Sequence, residues 1–191
     1  MNGIPTPGVF LGSGEPVVVQ KARKALFLDR DGVINVNHGY VHTADQTEWV
    51  PGIFELCKTA ASAGYALVVV TNQAGIARGY YSEEAFRQYT SWLHEQFELR
   101  GIHLSATYYC PHHPEFGVGE FKVQCNCRKP GPGMLLAAAD DLFLDLGRSV
   151  LVGDMPSDLE AAKAAGVRSS FFVDAALADV ARIVDDGGDE A

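Results

Sequence analysis

Short apolar runs alternate along the chain with segments in which apolar residues recur at helical spacing. The runs at 24–28, 65–70 and 149–153 are almost continuously apolar, which is typical of strands buried on both faces. Weaker runs near Ser105 and Ser169 add two further candidate strands. Because strands and helices alternate, the pattern predicts an α/β fold, a Rossmann-like parallel sheet with helices on both faces.

Turn and capping residues indicate where helices begin and end. A helix is predicted over 51–63, with Gly64 at its C-terminal end. A long amphipathic helix is predicted over 82–99, with Ser82 as its N-cap. Two further helices should follow a pair of prolines, Pro132 and Pro156.

The domain organisation follows from where this alternating pattern begins and ends. Residues 1–23 are interpreted as a loosely held N-terminal arm, in which the valines at 17–19 could add an edge strand. Residues 24–184 are predicted to form one domain, with no separate cap domain and with a loop insertion at 110–127. The last residues, 185–191, are expected to be an acidic tail.

The composition limits the classes of partner that the protein is expected to bind. The chain has 191 residues and a formal net charge of −9, from 24 acidic and 15 basic residues. This balance argues against nucleic acid and anionic membranes, both of which attract basic proteins. We find no apolar run of the roughly 20 residues that a membrane span needs and no secretory signal pattern, so a cytoplasmic protein is expected. An acidic protein that binds phosphate must supply positive charge locally.

Polar residues follow the predicted strands at the ends where a parallel sheet binds its ligands. In chain order they are Asp29 and Asp31, Thr71 and Asn72, then Asp154 and Asp158. Lys129 is expected on the same rim, in a loop just before another helix. Asp29 and Asp31 are two positions apart, so both carboxylates should project to the same side of an extended chain. Any one of these residues could be a turn, capping or surface residue. Their common position, at strand ends or in loops on the same rim, nevertheless predicts a single site.

The order of these motifs resembles that of the haloacid dehalogenase (HAD) superfamily of phosphatases. The likeness runs from about residue 24 to 173 and consists of a hydrophobic run with DxDG, a hydrophobic run with TN, a lysine, and GDxxxD. It implies that Asp29 is the nucleophile that becomes phosphorylated and that Asp31 is the general acid and base. For that role Asp31 must hold a proton when substrate is bound.

The same resemblance assigns the groups that neutralise phosphate. Mg²⁺ would be bound by Asp29, the backbone carbonyl of Asp31, and Asp154, because hard cations prefer oxygen ligands. Thr71 and Lys129 would hold the transferring phosphate oxygens. Asp158 is expected to support the loop or the outer shell of the metal rather than to bind it.

A cysteine-rich segment, "CPHHPEFGVGEFKVQCNC", presents a C-x-H pair and then a C-x-C pair. Three thiolates and one imidazole are the tetrahedral set that Zn²⁺ prefers, and four protein ligands indicate a structural site. The predicted zinc ligands are Cys110, His112, Cys125 and Cys127, whereas His113 should point away; the alternative is a reduced, metal-free loop. Cys127 directly precedes Arg128 and Lys129, so zinc would also fix two cations near the site.

Within the superfamily the chain resembles the bacterial heptose bisphosphate phosphatases, through "DRDGVINVNHGYVH", "VVVTNQAGIARG" and "CNCRKPGPGML". This likeness implies removal of the 7-phosphate of D-glycero-D-manno-heptose 1,7-bisphosphate, a small sugar phosphate. The implied substrate contacts are Asn37, His38, Gly39 and Tyr40 for the sugar, Thr71, Asn72, Gln73, Ala74 and Lys129 for the reacting phosphate, and Arg128 for the remote phosphate. Arg78 is either a further contact or a surface arginine.

One position departs from that family. Met155 stands directly after Asp154, where the relatives commonly have a lysine. We expect the missing cation to weaken phosphate binding or to alter anomer preference rather than to abolish activity.

Three other functions remain open on sequence grounds. A histidinol-phosphate phosphatase of the same superfamily shares the cysteine loop. A phospho-accepting signalling receiver also combines a parallel sheet with aspartates and a lysine, although it needs no zinc loop. A catalytically silent binding protein is the third alternative. A monomer is favoured, Cys57 is expected in the core, and His94 and His103 are expected at the surface.

Overall fold

The computed structural model describes residues 7–12, 22–180 and 182. Six strands in these ranges form one sheet in the order β1-β4-β3-β2-β5-β6. Their bounds are β1 Gly8–Leu11, β2 Ala25–Leu28, β3 Ala66–Asn72, β4 Leu104–Cys110, β5 Val150–Gly153 and β6 Ser169–Phe172. Strand β1 pairs antiparallel with β4, and every other pairing is parallel. The predicted parallel α/β sheet is therefore confirmed.

Helices connect the strands close to the predicted positions. The α-helices are α1 Ile53–Ser62, α2 Ala74–Ala77, α3 Glu83–Glu98, α4 Gly133–Leu142, α5 Pro156–Ala165 and α6 Val173–Ala178. Short 3₁₀ helices lie at Ala44–Gln46, Gly119–Phe121 and Leu146–Arg148. The short helices α2 and α6 were not predicted. The connections between consecutive strands of residues 22–180 hold no inserted domain, in agreement with the prediction of an uncapped fold.

The core consists of two layers, one on each face of the sheet. Leu26 and Leu28 of β2 pack on the side of α1, α3 and α6, whereas Ala25 and Phe27 pack on the side of α4 and α5. This alternation is what a strand with a two-residue period produces when both of its faces are covered. Helices on both faces are thus confirmed, and Cys57 lies in the first layer as expected.

Helix α3 shows one correct and one wrong expectation. Ser82 is its N-cap, with its hydroxyl accepting a hydrogen bond from the amide of Ala85 at 3.0 Å. His94, expected at the surface, is instead buried and lies 2.9 Å from the Thr107 hydroxyl. Burial lowers the pKa of His94 to about 4. His103 is half exposed and pairs with Glu98 at 2.6 Å.

Part of the predicted N-terminal arm belongs to the sheet. Gly8–Leu11 pairs with β4 along its full length, from Gly8 opposite Tyr109 to Leu11 opposite Ala106. The valines at 17–19, which were the expected edge strand, and the acidic tail at 185–191 lie outside the described residues. Among the helices that the structure describes, none combines the length and apolar character of a membrane span.

Candidate active site

A cavity of about 370 Å³ opens at the carboxyl ends of β2, β3 and β5. This is the edge at which a parallel sheet of this kind is expected to bind its ligand. The lining residues come from five separate parts of the chain: Asp29, Asp31, Asn37, Gly39, Tyr40, Thr71, Asn72, Gln73, Ala74, Gly75, Tyr81, Lys129, Asp154, Met155, Ser157 and Asp158. The structure therefore brings together most of the residues that the sequence assigned to one site.

A buried lysine stands between two carboxylates at this cavity. The Nζ atom of Lys129 lies 2.8 Å from Oδ1 of Asp29 and 2.6 Å from Oδ1 of Asp158. It also donates to the carbonyl of Val70 at 2.8 Å. All three charged side chains are buried. The amide of Asn72 and the backbone of Lys129 exchange two hydrogen bonds, which ties the end of β3 to the lysine loop.

The loop after β5 is shaped by Asp158. Its Oδ2 atom accepts hydrogen bonds from the amides of Asp154 at 3.2 Å and Met155 at 2.9 Å, so its two oxygens hold the loop and the lysine. This agrees with the supporting role predicted for Asp158. Gly32 has φ +92°, and a Cβ there would collide with the Asp154 carboxylate.

The carboxylates leave a position for a cation. Oxygens of Asp29, Asp154 and Asp158 lie within 4.8 Å of one another. The Oδ1 atom of Asp154 is buried and has no hydrogen-bond partner among the described residues. An unpartnered buried carboxylate oxygen beside a second carboxylate fits a hard divalent ion such as Mg²⁺.

Burial and charge alter the protonation of these groups. Burial raises the pKa of Asp29 to about 7, because desolvation, with help from Asp158 and Asp31, outweighs the opposing charge of Lys129. Burial also raises the pKa of Asp154. Burial disfavours the charged form of Lys129, but Asp29 and Asp158 outweigh it and raise the pKa of that ammonium group. Asp29 and Asp154 therefore bind a proton more readily than free aspartates do, whereas Lys129 stays charged.

Three donors hold the Asp31 carboxylate. Arg30 donates to Oδ2 at 2.6 Å and Gln73 to the same oxygen at 3.3 Å, while Asn35 donates to Oδ1 at 3.1 Å. Gln73 also donates to the hydroxyl of Thr71 at 2.8 Å. Its own carbonyl accepts a hydrogen bond from the Tyr81 hydroxyl at 2.6 Å. The side chains of Asp31 and Thr71 are therefore linked by Gln73.

The predicted sugar-binding loop is only partly directed into the cavity. Asn37, Gly39 and Tyr40 line it, whereas His38 does not and instead lies 3.0 Å from Glu48 on the surface. Tyr40 has a left-handed backbone with φ 54°, which is unusual for a residue with a side chain.

The two candidate arginines lie beside the cavity rather than in its lining. Arg128 approaches the carbonyl of His112 at 3.4 Å, next to the cysteine cluster. The guanidinium of Arg78 stacks 4.2 Å from the centre of the Phe116 ring. Neither side chain contributes to the cavity wall described above.

The cysteine segment closes into a tight four-residue cluster. Sγ of Cys110 lies 3.6 Å from that of Cys125 and 3.4 Å from that of Cys127, and Nδ1 of His112 lies 3.3 Å from Sγ of Cys127. A tetrahedral zinc site with bonds of about 2.3 Å places its sulfur atoms about 3.8 Å apart. The cysteines form no disulfide, so the cluster can hold a metal ion.

His113 lies outside this cluster, as expected. Its Nδ1 atom accepts hydrogen bonds from the amides of Glu115 at 3.2 Å and Phe116 at 3.1 Å. It therefore stabilises the turn of the loop and is unavailable as a ligand through that nitrogen.

Several residues at the site were not anticipated from the sequence. Gly75, Tyr81 and Ser157 line the cavity, whereas Arg30 and Asn35 lie behind its wall and contact Asp31. Arg30 could have been found from the sequence, since a charged residue between two aspartates at a buried strand end needs a partner. Tyr81 could not, because its contact with Gln73 depends on how the turn after α2 folds back.

Comparison with known proteins adds the family. The HAD-hydrolase-like family model matches residues 126–176. A D-glycero-beta-D-manno-heptose-1,7-bisphosphate 7-phosphatase of Vibrio cholerae is 51% identical over 80% of this chain and 82% of its own. The chain belongs to the HAD-like phosphatases. A second relative, from Burkholderia mallei, is named D-glycero-alpha-D-manno-heptose-1,7-bisphosphate 7-phosphatase, after the alpha anomer. It is 50% identical over 78% of this chain and 79% of its own.

Solved structures agree with this membership. The structure of a HAD-like protein from Mesorhizobium loti superimposes on this one with a TM-score of 0.82 at 34% identity. The match covers 98% of this chain and 99% of the other. The D,D-heptose 1,7-bisphosphate phosphatase of B. bronchiseptica, solved with magnesium and phosphate, gives a TM-score of 0.67 at 33% identity. It covers 76% of this chain and 78% of its own. The receiver alternative is thereby removed.

Proposed function

We propose that this phosphatase removes the 7-phosphate of D-glycero-D-manno-heptose 1,7-bisphosphate through an aspartyl phosphate on Asp29. The observation that carries the proposal is the arrangement of the Asp29 carboxylate, 2.8 Å from a buried lysine and in one cavity with Asp31. That arrangement provides a nucleophile, a cation and a proton carrier. The substrate is inferred from relatives about half identical in sequence that are named for this reaction.

The reaction would proceed in two displacements. A carboxylate oxygen of Asp29 attacks phosphorus in line, and the bond from phosphorus to the sugar oxygen breaks with its electron pair left on that oxygen. Asp31 gives its proton to this oxygen, and the sugar leaves as an alcohol. Water then attacks the phosphorus of the aspartyl phosphate and transfers a proton to Asp31. Phosphate leaves, and the carboxylate of Asp29 is restored.

The remaining groups would neutralise and orient the phosphate. Lys129, and Thr71 through its hydroxyl and amide, would hold the transferring oxygens, and both residues line the cavity. Asp29, Asp154 and the backbone carbonyl of Asp31 would bind Mg²⁺, which offsets the repulsion between carboxylates and phosphate when it is bound. The unpartnered oxygen of Asp154 supports this ligand set.

Substrate selection would fall to the loops, because no cap domain is present in the described chain. Asn37, Gly39 and Tyr40 line the cavity and would contact the sugar, and Ala74 at the start of α2 would contact the reacting phosphate with Asn72 and Gln73. Arg128 would reach the remote phosphate, for which a planar guanidinium is suited. The proposal covers both anomers, since relatives named for each are equally similar to this chain.

The cysteine cluster would bind Zn²⁺ through Cys110, His112, Cys125 and Cys127. All four side chains are protein ligands, so the ion would be structural rather than catalytic. The enzyme would act as a cytoplasmic monomer.

Phosphate release from a panel of substrates with Mg²⁺ tests the proposal. The panel contains both anomers of the heptose 1,7-bisphosphate, the heptose 1-phosphate and 7-phosphate, and histidinol phosphate. We expect one phosphate per heptose bisphosphate, with the 1-phosphate left intact. Preferential turnover of histidinol phosphate would replace the substrate assignment, and failure of all five would contradict the phosphatase site itself.

A further inference from the structure

We infer that Arg30 is a positioning residue that holds Asp31 in the orientation needed for proton transfer. The inference rests on the proposed function, because it concerns the step in which Asp31 protonates the leaving sugar oxygen. It adds a residue that lies behind the cavity wall and contacts neither substrate nor metal in that mechanism.

Arg30 is among the largest fully buried side chains of the described chain, with 2% of its surface exposed. Its Nη2 atom lies 2.6 Å from Oδ2 of Asp31 and 2.6 Å from the carbonyl oxygen of Val41. The rings of Phe86 and Tyr89 flank the guanidinium at 5.6 Å and 5.2 Å. This one nitrogen therefore contacts both Asp31 and the end of the predicted sugar-binding loop, since Val41 directly follows Tyr40 in the chain.

The bonding pattern argues against stability as the main role of this arginine. Its Nε and Nη1 atoms are buried and have no hydrogen-bond partner in the part of the chain that the structure describes, and such groups destabilise a fold. A buried ion pair is itself weak evidence for stability, because desolvation offsets most of its attraction. What the arrangement does provide is orientation, since a guanidinium fixed between two rings and a carbonyl has little freedom to move.

Orientation matters more for Asp31 than for the other carboxylates. Asp158 is itself buried and is held by three donors, whereas the Asp31 side chain remains 18% exposed at the cavity. Arg30 and Gln73 both donate to Oδ2, and Asn35 donates to Oδ1. Without the guanidinium, Oδ2 would keep only the longer contact with Gln73, and the carboxyl group could rotate away from the leaving oxygen.

The test compares two leaving groups in an Arg30→Gln variant. Here kcat/KM is measured for the heptose bisphosphate, whose alkoxide must be protonated, and for dinitrophenyl phosphate, whose phenolate departs without a proton. Both values report the same transfer of phosphorus to Asp29. We expect a loss of about 10- to 100-fold on the sugar substrate, within the range of general acid catalysis, and little change on the aryl substrate.

An Arg30→Lys variant provides the second measurement. It retains a buried cation and should recover part of the lost activity on the sugar substrate, and it replaces the glutamine variant in the comparison if that variant does not fold. Arg87→Gln, at a half-exposed arginine of α3, is the matched control. Equal losses on both substrates, or no loss on either, would overturn the inference while the wild type stays active. A wild type that releases no phosphate would overturn the proposed function and the inference with it.

Discussion

Two polar clusters lie side by side in this molecule and differ in how they are built. The cavity cluster gathers carboxylates, a lysine and a threonine from the ends of three strands and two loops, residues that are far apart in sequence. The cysteine cluster takes all four of its side chains from one segment, residues 110–127. The cavity cluster, which we call the open cluster, depends on the whole sheet. The cysteine cluster, which we call the closed cluster, can be closed by a single ion.

The chemistry of the two clusters differs in the same way. Oxygen ligands, an unpartnered Asp154 oxygen and an open cavity suit a site that exchanges phosphate and water. Three thiols and an imidazole closed around one point suit an ion that does not exchange ligands. The clusters meet in sequence at Cys127, Arg128 and Lys129. This contiguity suggests that the closed cluster fixes the lysine on which the open cluster depends.

The largest effect should come from Asp29→Asn, which removes the proposed nucleophile from the open cluster. We expect phosphate release to fall on the order of 10⁴-fold or more, as is typical when a covalent nucleophile is lost. Steady-state phosphate release from freshly purified protein is the measurement. Asp140→Asn, at an exposed aspartate of α4, serves as the control. Full activity of the Asp29 variant without deamidation would show that the open cluster is not catalytic.

Lys129→Met should reduce kcat/KM by about 10²- to 10³-fold, because the cation proposed to stabilise the transferring oxygens is lost. It should also destabilise the fold by about 3–5 kcal/mol, since Asp29 and Asp158 would be left buried without their shared cation. Chemical denaturation and kinetics measure the two effects. Lys163→Met, at an exposed lysine of α5, should change neither. A stable, active Lys129 variant would separate this lysine from the site.

His112→Ala tests whether the closed cluster supports the open one. Metal content should fall from one zinc per chain to none, and activity should fall by about 10- to 100-fold, because displacing a catalytic group by about 1 Å can cost that much. The neighbouring His113→Ala should keep its zinc, since this histidine only caps the turn. If zinc is lost and activity is unchanged, the two clusters are independent.

Most of the residues in both clusters could be predicted from the sequence, because each cluster has a recognisable local sequence pattern. The buried strands are short apolar runs, and most of the catalytic candidates lie at their carboxyl ends, whereas Lys129 lies in the loop before α4. The spacing of its cysteines and histidine alone indicates the four residues of the cysteine cluster, which the structure brings together. Strand β1 was not predictable in the same way, since Gly8–Leu11 becomes a strand only by pairing with β4, about a hundred residues later.

The sequence-based expectations that failed share one physical cause. In each case a polar side chain is held by a partner that is not its neighbour in the sequence. His94 has the hydrophilic character of a surface residue, yet it is buried because Thr107 on β4 supplies a hydrogen bond and Phe10 on β1 supplies a ring at 4.8 Å. Arg30 is similar, since Val41, Phe86 and Tyr89 form its pocket. His38 was expected in the cavity with its neighbours but pairs with Glu48 instead.

The smallest expected effect is at Met155, where the family resemblance led us to expect a lysine and the open cluster has no cation at that position. Its side chain is 55% exposed and lines the cavity beside Asp154. A lysine at that position would meet the phosphate in a solvated setting, where an ion pair contributes about 0.2–1 kcal/mol, so Met155→Lys should lower KM by up to about fivefold. Met155→Gln, which adds polarity without charge, should leave KM near that of the wild type. The kinetics should be measured on both anomers, because a lysine that contacts the remote phosphate would favour one of them. If all parameters on both anomers are unchanged, the charge of the open cluster is already sufficient without a cation at this position.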